Sequence, residues 1–342
     1  MAKSSFKRHV QLAMIGALAA AFSGAAQAQQ MVVGDQGIIA DIPIYIAVEK
    51  GYFKQEGIDV TIQRIGSGAA ATLPLSTNQV QVVGGSVSAA LFNAFARDWP
   101  VRIVMGRTRD EPGFSSDTLI MRTDLNDGKN ELASLKGRKI AINAPASSLE
   151  YMLGRMLKSV SLTLKDVEIV YMPWPSMGAA MESKAIDGGI VVEPFVTLYG
   201  LQKTSYVFRR ASQEISKPAL ESSVVLFNKD WMDQNPKQAL AFTVGYLKGL
   251  RDYYEAMKHG PNRKAVIDIG VKYTTLKDPA LYDQIEWSYM DPNADIPRAG
   301  LRDQQSWYRA MGSDVSNVDL EKMLDQKILD QAQGILGRVS TE

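Results

Sequence analysis

The stretch YIAVEKGYFKQEGIDVTIQ, residues 45–63, constrains the fold most because its hydrophobic period changes halfway through. Apolar residues recur at helical spacing up to Gly51, which can adopt the left-handed conformation that ends a helix. After Gly57, apolar and polar residues alternate, which is the period of a half-buried strand. Together with the short apolar run at residues 31–33, this stretch predicts a strand–helix–strand unit. The right-handed crossover of such a unit implies parallel strands.

The same alternation of strands and helices recurs along the chain and then stops. It predicts two α/β blocks, with the first part of lobe 1 at residues 29–118 and lobe 2 at residues 119–223. Residues 224–342 are predicted to begin with a strand that completes lobe 1. After Pro236 the pattern predicts helices, one of them at residues 279–289. Because the second block is inserted into the first, two chain crossings would join the lobes, and hinge motion is expected.

The first 28 residues have the pattern of a secretory signal peptide. Lys3, Lys7 and Arg8 precede an apolar run, and the tripeptide Ala-Gln-Ala ending at Ala28 offers a cleavage site. The run is shorter than the roughly 20 residues of a spanning helix. We therefore expect cleavage after Ala28 and export to the periplasm. No cysteine is present for lipid attachment, so the exported chain is expected to diffuse freely.

The charge and residue composition argue against several classes of function. The chain has 38 Lys and Arg and 37 Asp and Glu. Removing the three basic residues of the signal peptide leaves 35 against 37, a net charge of −2, whereas nucleic-acid binding needs a basic surface. There is no cysteine, and the only histidine outside the signal peptide is His259. A zinc site or a histidine-dependent triad therefore has almost no ligands available, and we expect no metal and no cofactor.

Three segments of the chain resemble one protein family. They are AVEKGYFKQEGIDV at residues 47–60, SLKGRKIAI at residues 134–142 and AMESKAIDGGIVVEPF at residues 180–195. In this order they resemble the periplasmic solute-binding proteins of ABC importers, in the nitrate, sulfonate and thiamine-precursor group (NMT1/THI5-like, SsuA-like). The resemblance implies an α/β, two-lobed type II periplasmic binding protein fold, here with a helical C-terminal part.

The resemblance also implies partners. A small-molecule ligand would be held between the lobes and delivered to a membrane permease driven by an ATPase, both of them separate chains. We expect the binding protein itself to be a monomer. One relative in the superfamily is a pyrimidine synthase that uses a cysteine-rich motif and consumes its own histidine. Since this chain has no cysteine, the resemblance favours binding without catalysis. An enzyme on this fold would need an acid–base pair, for which Asp35 and Glu193 are the candidates.

Ligands of parallel sheets bind beyond the carboxyl ends of the strands, and the N–H groups at helix starts can receive an anion. We apply this rule to the predicted strands. Ten residues are then expected to contact the ligand: Gln36, Gly68, Ser86, Val87, Arg107, Ala146, Ser147, Ser148, Trp174 and Glu193.

Each polar or aromatic candidate also has a purely structural interpretation. Ser86 and Ser147 either cap helices or donate to the ligand, and Ser147 starts a capping-box sequence. Arg107 either clamps a carboxylate or sulfonate or is a solvated loop residue. Trp174 either offers its ring to the ligand or packs in the core or hinge. Glu193 either binds an amine or fixes a strand end through a hydrogen bond.

The expected ligand is a small organic anion. Small-residue helix starts on both lobes and Arg107 favour this class, and Trp174 favours an aromatic carboxylate or a sulfonate over nitrate. A pyrimidine such as a thiamine precursor is the alternative ligand. The sequence leaves open whether the protein serves an importer or reports ligand to a membrane receptor.

Overall fold

The computed structural model describes residues 29–111, 114–214, 220–313, 315 and 318–341. The predicted signal peptide and its cleavage site lie outside the described residues and stay a prediction.

The described residues form ten strands in two sheets. The strands are β1 (Gln29–Asp35), β2 (Ile58–Arg64), β3 (Val82–Ser86), β4 (Val101–Asp110), β5 (Asp117–Arg122), β6 (Lys139–Ile142), β7 (Glu168–Tyr171), β8 (Gly188–Val192), β9 (Ser205–Arg210) and β10 (Leu220–Asn228).

The helices before β10 are mostly short connections between strands. They are α1 (Ile42–Glu49), α2 (Tyr52–Gln55), α3 (Thr72–Ser76), α4 (Ala89–Ala96), α5 (Ser148–Ser159), α6 (Trp174–Glu182), α7 (Phe195–Leu201) and α8 (Ala211–Glu214). The remaining helices follow β10 and include the longest one. They are α9 (Lys229–Gln234), α10 (Pro236–Met257), α11 (Arg263–Tyr273), α12 (Arg298–Ala310), α13 (Leu320–Met323) and α14 (Lys327–Leu336).

The two sheets have the same arrangement of strands. The first, in lobe 1, has the order β2-β1-β3-β10-β4, and the second, in lobe 2, has the order β7-β6-β8-β5-β9. The first three strands of each order are parallel, while β10 and β5, each fourth in its sheet, run antiparallel to both neighbours. The beginnings of β10 and β5 therefore lie at the same sheet edge as the carboxyl ends of the parallel strands.

The strand–helix–strand unit at the start of the chain is confirmed. β1 and β2 pair in parallel over their whole length, and α1 connects them together with α2. Gly51 and Gly57 both have positive φ, 70° and 81°, which glycine adopts without steric cost. The helix α1 is buried on nearly all sides because α10 covers it. A Cβ at Gly249 in α10 would lie 2.3 Å from the Pro43 carbonyl oxygen, so this close approach requires glycine.

The chain passes from one sheet to the other between β4 and β5, and returns between β9 and β10. The strands that follow these crossings begin at Asp117 and Leu220. Both starts fall a few residues before the positions at which the sequence pattern placed the change of lobe. The exact lobe boundaries remain predictions.

The helix α12 contacts both lobes. The Tyr308 hydroxyl donates to the carbonyl of Val87 in lobe 1 at 2.8 Å. The Trp307 ring meets the Tyr151 ring of α5 edge-on, with 5.5 Å between the ring centroids. The helix expected at residues 279–289 is wrong beyond a short 3-10 turn at Pro279–Asp283, because the residues after it run irregularly and bury Trp287.

Candidate functional site

Residues of both lobes line one cleft, and its empty space, including the part open to solvent, is about 510 Å³. The cleft lies where the carboxyl ends of the parallel strands meet the beginnings of β5 and β10. Most of its lining is small or polar. Eight of the ten predicted residues line it, and their contact with a ligand stays a prediction: Gln36, Gly68, Ser86, Arg107, Ser147, Ser148, Trp174 and Glu193.

Val87 and Ala146 were also expected at the cleft, but they lie beside it, and their backbones hold the fold together. The N–H of Val87 donates to the carbonyl of Ser222 at 3.2 Å, and its carbonyl accepts the Tyr308 hydroxyl. The carbonyl of Ala146 accepts the N–H of Ala89 at 3.0 Å, which links the two lobes. These backbone groups are already paired within the protein, and contact of either residue with a ligand stays a prediction.

A hydrogen bond crosses the cleft between Ser86 and Ser148. Ser86 ends β3 in lobe 1, Ser148 begins α5 in lobe 2, and their hydroxyl oxygens are 3.0 Å apart. The backbone N–H of Ser148 also donates to the Ser86 hydroxyl at 3.3 Å. Two hydroxyls from opposite lobes therefore meet at one point, where each could turn to a bound molecule.

Ser86 does not cap a helix, and Ser147 takes the predicted N-cap position without the predicted capping bond. Ser86 belongs to β3, and the cap of α4 is Ser88, whose hydroxyl accepts a backbone N–H of the first turn at 3.3 Å. Ser147 occupies the N-cap position of α5, but its hydroxyl makes no capping bond. The Glu150 carboxylate accepts the N–H of Ala146 at 2.8 Å instead. The Ser147 hydroxyl is left buried in the cleft lining without a partner.

Arg107 lies within β4 and is only 3% exposed, so the solvated-loop interpretation is wrong. Its Nη2 forms a buried ion pair with Oδ1 of Asp41, and its Nη1 donates to the Ser223 hydroxyl at 3.3 Å. The charge of the guanidinium is thus neutralised inside lobe 1. Its Nε is buried without a partner, so this N–H is available to a ligand.

The partner of Arg107 also shapes the loop after β1. The Asp41 carboxylate accepts the backbone N–H groups of Gln36 at 2.9 Å and Ile38 at 3.2 Å. The guanidinium of Arg107 rests on Gly84, where a Cβ would lie 2.5 Å from its Cζ. One buried ion pair therefore positions both the loop and the strand ends of lobe 1.

Glu193 fixes the end of β8, in agreement with its structural interpretation. Its carboxylate accepts the N–H of Thr197 at 3.1 Å and the Thr197 hydroxyl at 3.0 Å, which satisfies the start of α7. Its backbone carbonyl accepts the N–H of Ile39 from lobe 1 at 3.3 Å. Burial raises the pKa of Glu193 to about 7. The bonds to Thr197 act in the opposite direction and do not offset the burial.

Trp174 packs into lobe 2 and also lines the cleft. It begins α6, its Nε1 donates to the carbonyl of Ile190 at 3.2 Å, and its ring centroid is 6.0 Å from that of Phe195. At 7% exposure, little of the ring faces the open space. The packing interpretation is therefore what the structure shows, and stacking with a ligand stays a prediction.

Two buried carboxyls lie at the first chain crossing. Asp110 ends β4, Asp117 begins β5, and Oδ1 of Asp110 accepts the N–H of Ser116 at 2.8 Å. Burial raises the pKa of Asp110 to about 7. Burial, followed by the charge of Asp110 and a hydrogen bond with it, raises the pKa of Asp117 well above its usual range. Because two adjacent buried carboxylates repel each other, the pair favours a proton shared between them.

Sequence reasoning missed Asp117, Ser222 and Ser223, all of which line the cleft. It considered only the carboxyl ends of parallel strands, whereas these residues lie at the beginnings of the antiparallel strands β5 and β10. It also missed Asn143, which lines the cleft directly after β6. That residue could have been found, because it directly follows the apolar end of a parallel strand, where the rule for ligand sites applies.

The acid–base pair considered for an enzyme is not assembled in the cleft. Asp35 is absent from the lining, and its carboxylate accepts the Tyr45 hydroxyl and faces Nε of Arg64 at 3.3 Å. Among the described residues, no three His, Cys, Asp or Glu side chains are grouped so as to hold a metal ion. In the same part of the chain, no helix combines the length and apolar character needed to cross a membrane.

The paired sheets and the cleft between them define the class of protein. They form the two-lobed fold of periplasmic binding proteins, so the predicted fold class is confirmed. The alkanesulfonate-binding protein SsuA from Xanthomonas axonopodis pv. citri, solved with MOPS bound, superimposes with a TM-score of 0.70. The match covers 87% of this chain and 98% of that one at 15% sequence identity. At this level of identity the match shows only that the two folds are similar.

The family follows from the sequence comparisons. The model of the family described as NMT1/THI5 like matches residues 40–259, and the chain belongs to this family, as the resemblance predicted. The taurine-binding periplasmic protein of Escherichia coli (strain K12) is 26% identical over 204 residues, which cover 59% of this chain and 60% of that protein. An enzyme, the 4-amino-5-hydroxymethyl-2-methylpyrimidine phosphate synthase of Uromyces fabae, is 23% identical over 212 residues, 59% of each chain. The chain therefore spans about 60% of the length of these curated relatives.

Proposed function

We propose that this protein is the solute-binding component of an ABC importer and captures a small organic anion between its lobes. One observation carries the proposal. The start of α5, with the unpartnered hydroxyl of Ser147, faces the same cleft as Ser86 of the other lobe, and Ser86 and Ser148 meet there at 3.0 Å. A helix start and hydroxyls from both lobes form an anion site that a closing movement completes.

The expected energetics are sufficient for micromolar binding. The dipole of one helix adds about 0.3–1 kcal/mol to the binding of an anion at its start. Each hydrogen bond to a charged group adds about 1.5–3 kcal/mol. Three or four such contacts reach the roughly −8 kcal/mol of a micromolar complex if desolvation and closure cost little. The ligand binds across the cleft, so the free energy of binding favours the closed lobes.

We propose a sulfonate as the first ligand class and an aromatic carboxylate as the second. The family, together with the names of the taurine-binding relative and of the alkanesulfonate-binding structure, supports a sulfonate. The aromatic carboxylate rests on Trp174, whose ring borders the cleft but is mostly packed against Phe195. A pyrimidine is the alternative, and the similarity to the pyrimidine phosphate synthase supports it.

We further propose that the protein works in the periplasm as a monomer and delivers its ligand to a separate permease and ATPase. The relative from Escherichia coli is named as a periplasmic protein, and residues 1–28 have the signal-peptide pattern. The same cleft would serve a sensory role equally well. Deleting the gene and measuring uptake of the ligand distinguishes the two, because a sensor leaves uptake intact.

A thermal-shift screen tests the proposed function. The purified protein is heated with alkanesulfonates, aromatic carboxylates, nitrate and pyrimidines, each at a hundredfold excess over a micromolar dissociation constant. A true ligand then adds about 2.7 kcal/mol of stability. We expect a rise in melting temperature of roughly 5–10 °C, since 1 kcal/mol corresponds to about 2–4 °C in chains of this order. No shift with any anion would exclude the proposal.

The same screen addresses catalysis. The proposal requires that the ligand leave the protein chemically unchanged, because the cleft is proposed to bind and release it. After long incubation the ligand is recovered and analysed by mass spectrometry. Conversion of the ligand would contradict the binding role and favour the enzymatic function of the pyrimidine relative.

A further inference from the structure

Three buried side-chain atoms in the cleft lining have no hydrogen-bond partner: Nε of Arg107, Oδ1 of Asn143 and Oγ of Ser147. A fourth atom, Oδ2 of Asp117, has only the carboxyl of Asp110 beside it. Buried polar atoms are nearly always paired, and an unpaired one destabilises the protein. Three of these residues, Arg107, Asp117 and Ser147, are at most 3% exposed, so bulk water does not reach them. Their position indicates that a bound molecule supplies the missing partners.

These four atoms require a ligand that has both hydrogen-bond donors and hydrogen-bond acceptors. The carboxylate of Asp117 and the amide oxygen of Asn143 accept hydrogen bonds, Nε of Arg107 donates one, and the Ser147 hydroxyl can do either. A simple alkanesulfonate has acceptors only. It would match the donors, but it would leave the negative charge of the Asp110–Asp117 carboxyl pair buried opposite an anion, which is unfavourable.

The charged residues of the cleft lining also favour a ligand that carries a positive group. Its charged residues are Arg107, Asp117 and Glu193. Arg107 is neutralised by Asp41, and the Glu193 carboxylate is engaged by Thr197. Among the described residues, no basic side chain forms an ion pair with Asp117. The carboxyl pair at the first chain crossing is thus the negative charge of the cleft that still lacks a cation.

The order of the strands places the Asp110–Asp117 carboxyl pair apart from the start of α5, where the anion is proposed to bind. At the cleft edge of the second sheet, β5 lies next to β8, and β8 lies next to β6. Asp117 begins β5, while Asn143 and Ser147 follow the end of β6. Two strand spacings are about 10 Å. A molecule with its two charged groups a few bonds apart, hydrogen-bonded at each end, spans such a distance.

We propose that the ligand of the cleft is a small amino acid in the broad sense, with an ammonium group and an acid group at opposite ends. The ammonium lies against the Asp117 carboxylate. The acid group lies at the start of α5, where Ser147, Ser148 and Ser86 converge. Asp117 is therefore the residue that selects amine-bearing anions over plain ones. This inference rests on the proposed function and specifies its ligand.

Binding of an ammonium group also has a consequence for the proton of the carboxyl pair. Burial and the nearby charge of Asp110 raise the pKa of Asp117, and Ser222 lowers it through a hydrogen bond. Asp110 itself is held by Ser115, Ser116 and the backbone of Asp117. An adjacent cation favours the ionised pair, so binding should release a proton near pH 7. A purely structural role of Asp117 does not predict this release.

The experiment is isothermal titration calorimetry with matched pairs of probes. Protein expressed as the full chain and purified from the periplasm is titrated with taurine and ethanesulfonate, with β-alanine and propionate, and with 2-aminoethylphosphonate and ethylphosphonate. In at least one pair, the amine-bearing member should bind about tenfold tighter or more, the size expected for one charge-assisted hydrogen bond. The heat of binding should differ between two buffers of different ionisation enthalpy, which reports the released proton.

The variant Asp117→Asn should abolish the preference within the pair, because it weakens binding of the amine-bearing member and, by removing a buried negative charge, tightens binding of the plain anion. Asp268→Asn, on an exposed helix of lobe 1, is the matched control and should behave as the wild type. If Asp117→Asn does not fold, the preference and proton release of the wild type still decide the question. Equal binding of both members of every pair overturns this inference and leaves the proposed function standing. Binding of no anion in any pair overturns both.

Discussion

The two lobes have the same order and direction of strands, but they present different polar groups to the cleft. In lobe 1 the charged groups are paired with each other, since Arg107 is held by Asp41 and by Ser223. In lobe 2 the lining includes Asn143 and Ser147, each with a buried oxygen that lacks a partner. The comparison indicates that lobe 1 is a platform whose cleft charge is neutralised before ligand arrives, with only Nε of the Arg107 guanidinium left without a partner. Lobe 2 contributes polar groups whose partners come with the ligand.

The paired charges of lobe 1 predict the largest effect on stability. Asp41→Asn leaves the guanidinium of Arg107 buried without its counter-charge and weakens the bonds to the loop after β1. We expect a loss of about 3–5 kcal/mol in the free energy of unfolding, measured by urea denaturation. The matched control Asp268→Asn removes an exposed pair with Lys264 and should cost about 0.5 kcal/mol or less. Equal losses in the two variants would contradict the view of lobe 1 as a platform held by a buried pair.

The buried carboxyls predict that stability falls as the pH rises. Burial raises the folded-state pKa of Glu193 in lobe 2 to about 7 and that of Glu221 in lobe 1 to about 8. Between the ordinary pKa of glutamate and these values, the unfolded chain binds fewer protons than the folded one. Stability therefore decreases with pH in this window, by about 3 kcal/mol for Glu193 when the window has been crossed.

Urea denaturation between pH 5 and pH 8 measures this dependence. The variant Glu193→Gln should flatten the curve, since it removes one of the groups that titrate. Glu168→Gln, on an exposed strand end of lobe 2, should leave the curve unchanged. A wild-type protein that becomes more stable from pH 5 to pH 8 would contradict the assignment of raised pKa values to these groups.

Two glycines of one loop in lobe 1 test how closely the cleft wall is packed. A Cβ at Gly68 would lie 2.7 Å from the backbone nitrogen of Ser86, whereas a Cβ at Gly66 would meet nothing within 4 Å. We expect Gly68→Ala to cost about 1–3 kcal/mol in stability and to weaken ligand binding, because Ser86 is displaced. Gly66→Ala should be nearly neutral in both urea denaturation and calorimetry. Similar effects of the two substitutions would show that the wall yields more readily than its geometry indicates.

The hydrogen bond between the lobes predicts the smallest effect. A double-mutant cycle of Ser86→Ala and Ser148→Ala should give a coupling free energy of about 0.5–1.5 kcal/mol in thermal or urea unfolding. Ser183→Ala, an exposed serine whose hydroxyl bonds only within α6 and its end, should show no coupling to either. Absence of coupling between Ser86 and Ser148 would mean that the lobes do not touch at this point in solution.

Much of the fold could be predicted from the sequence because it depends on local patterns. The change of period after Gly51 defined α1 and β2. The helix predicted at residues 279–289 shows the limit. Its apolar residues recur at helical spacing, but Tyr282 and Trp287 are buried by a turn and an irregular segment that pack against α10 and α11. Tertiary packing decided the conformation there.

The candidate site was predicted best where it depends on the direction of parallel strands. Ser86, Ser147 and Glu193 all follow or end such strands, and the structure brings them to one cleft. The local roles of these residues were predicted less well. The cap of α4 is Ser88 and not Ser86, because capping depends on one or two residues of register that propensity does not resolve.

The sequence by itself determined the two α/β blocks, the family and the edge of each sheet where a ligand belongs. These follow from hydrophobic period, chain order and the handedness of crossovers, all of which are local or nearly so. Only the tertiary structure decided that β5 and β10 run against their neighbours and bring Asp117 and Ser223 to the cleft. It also decided that Arg107 is neutralised by Asp41. The physical reason is that strand pairing and buried ion pairs join residues far apart in the chain, and no local pattern records which partner lies opposite.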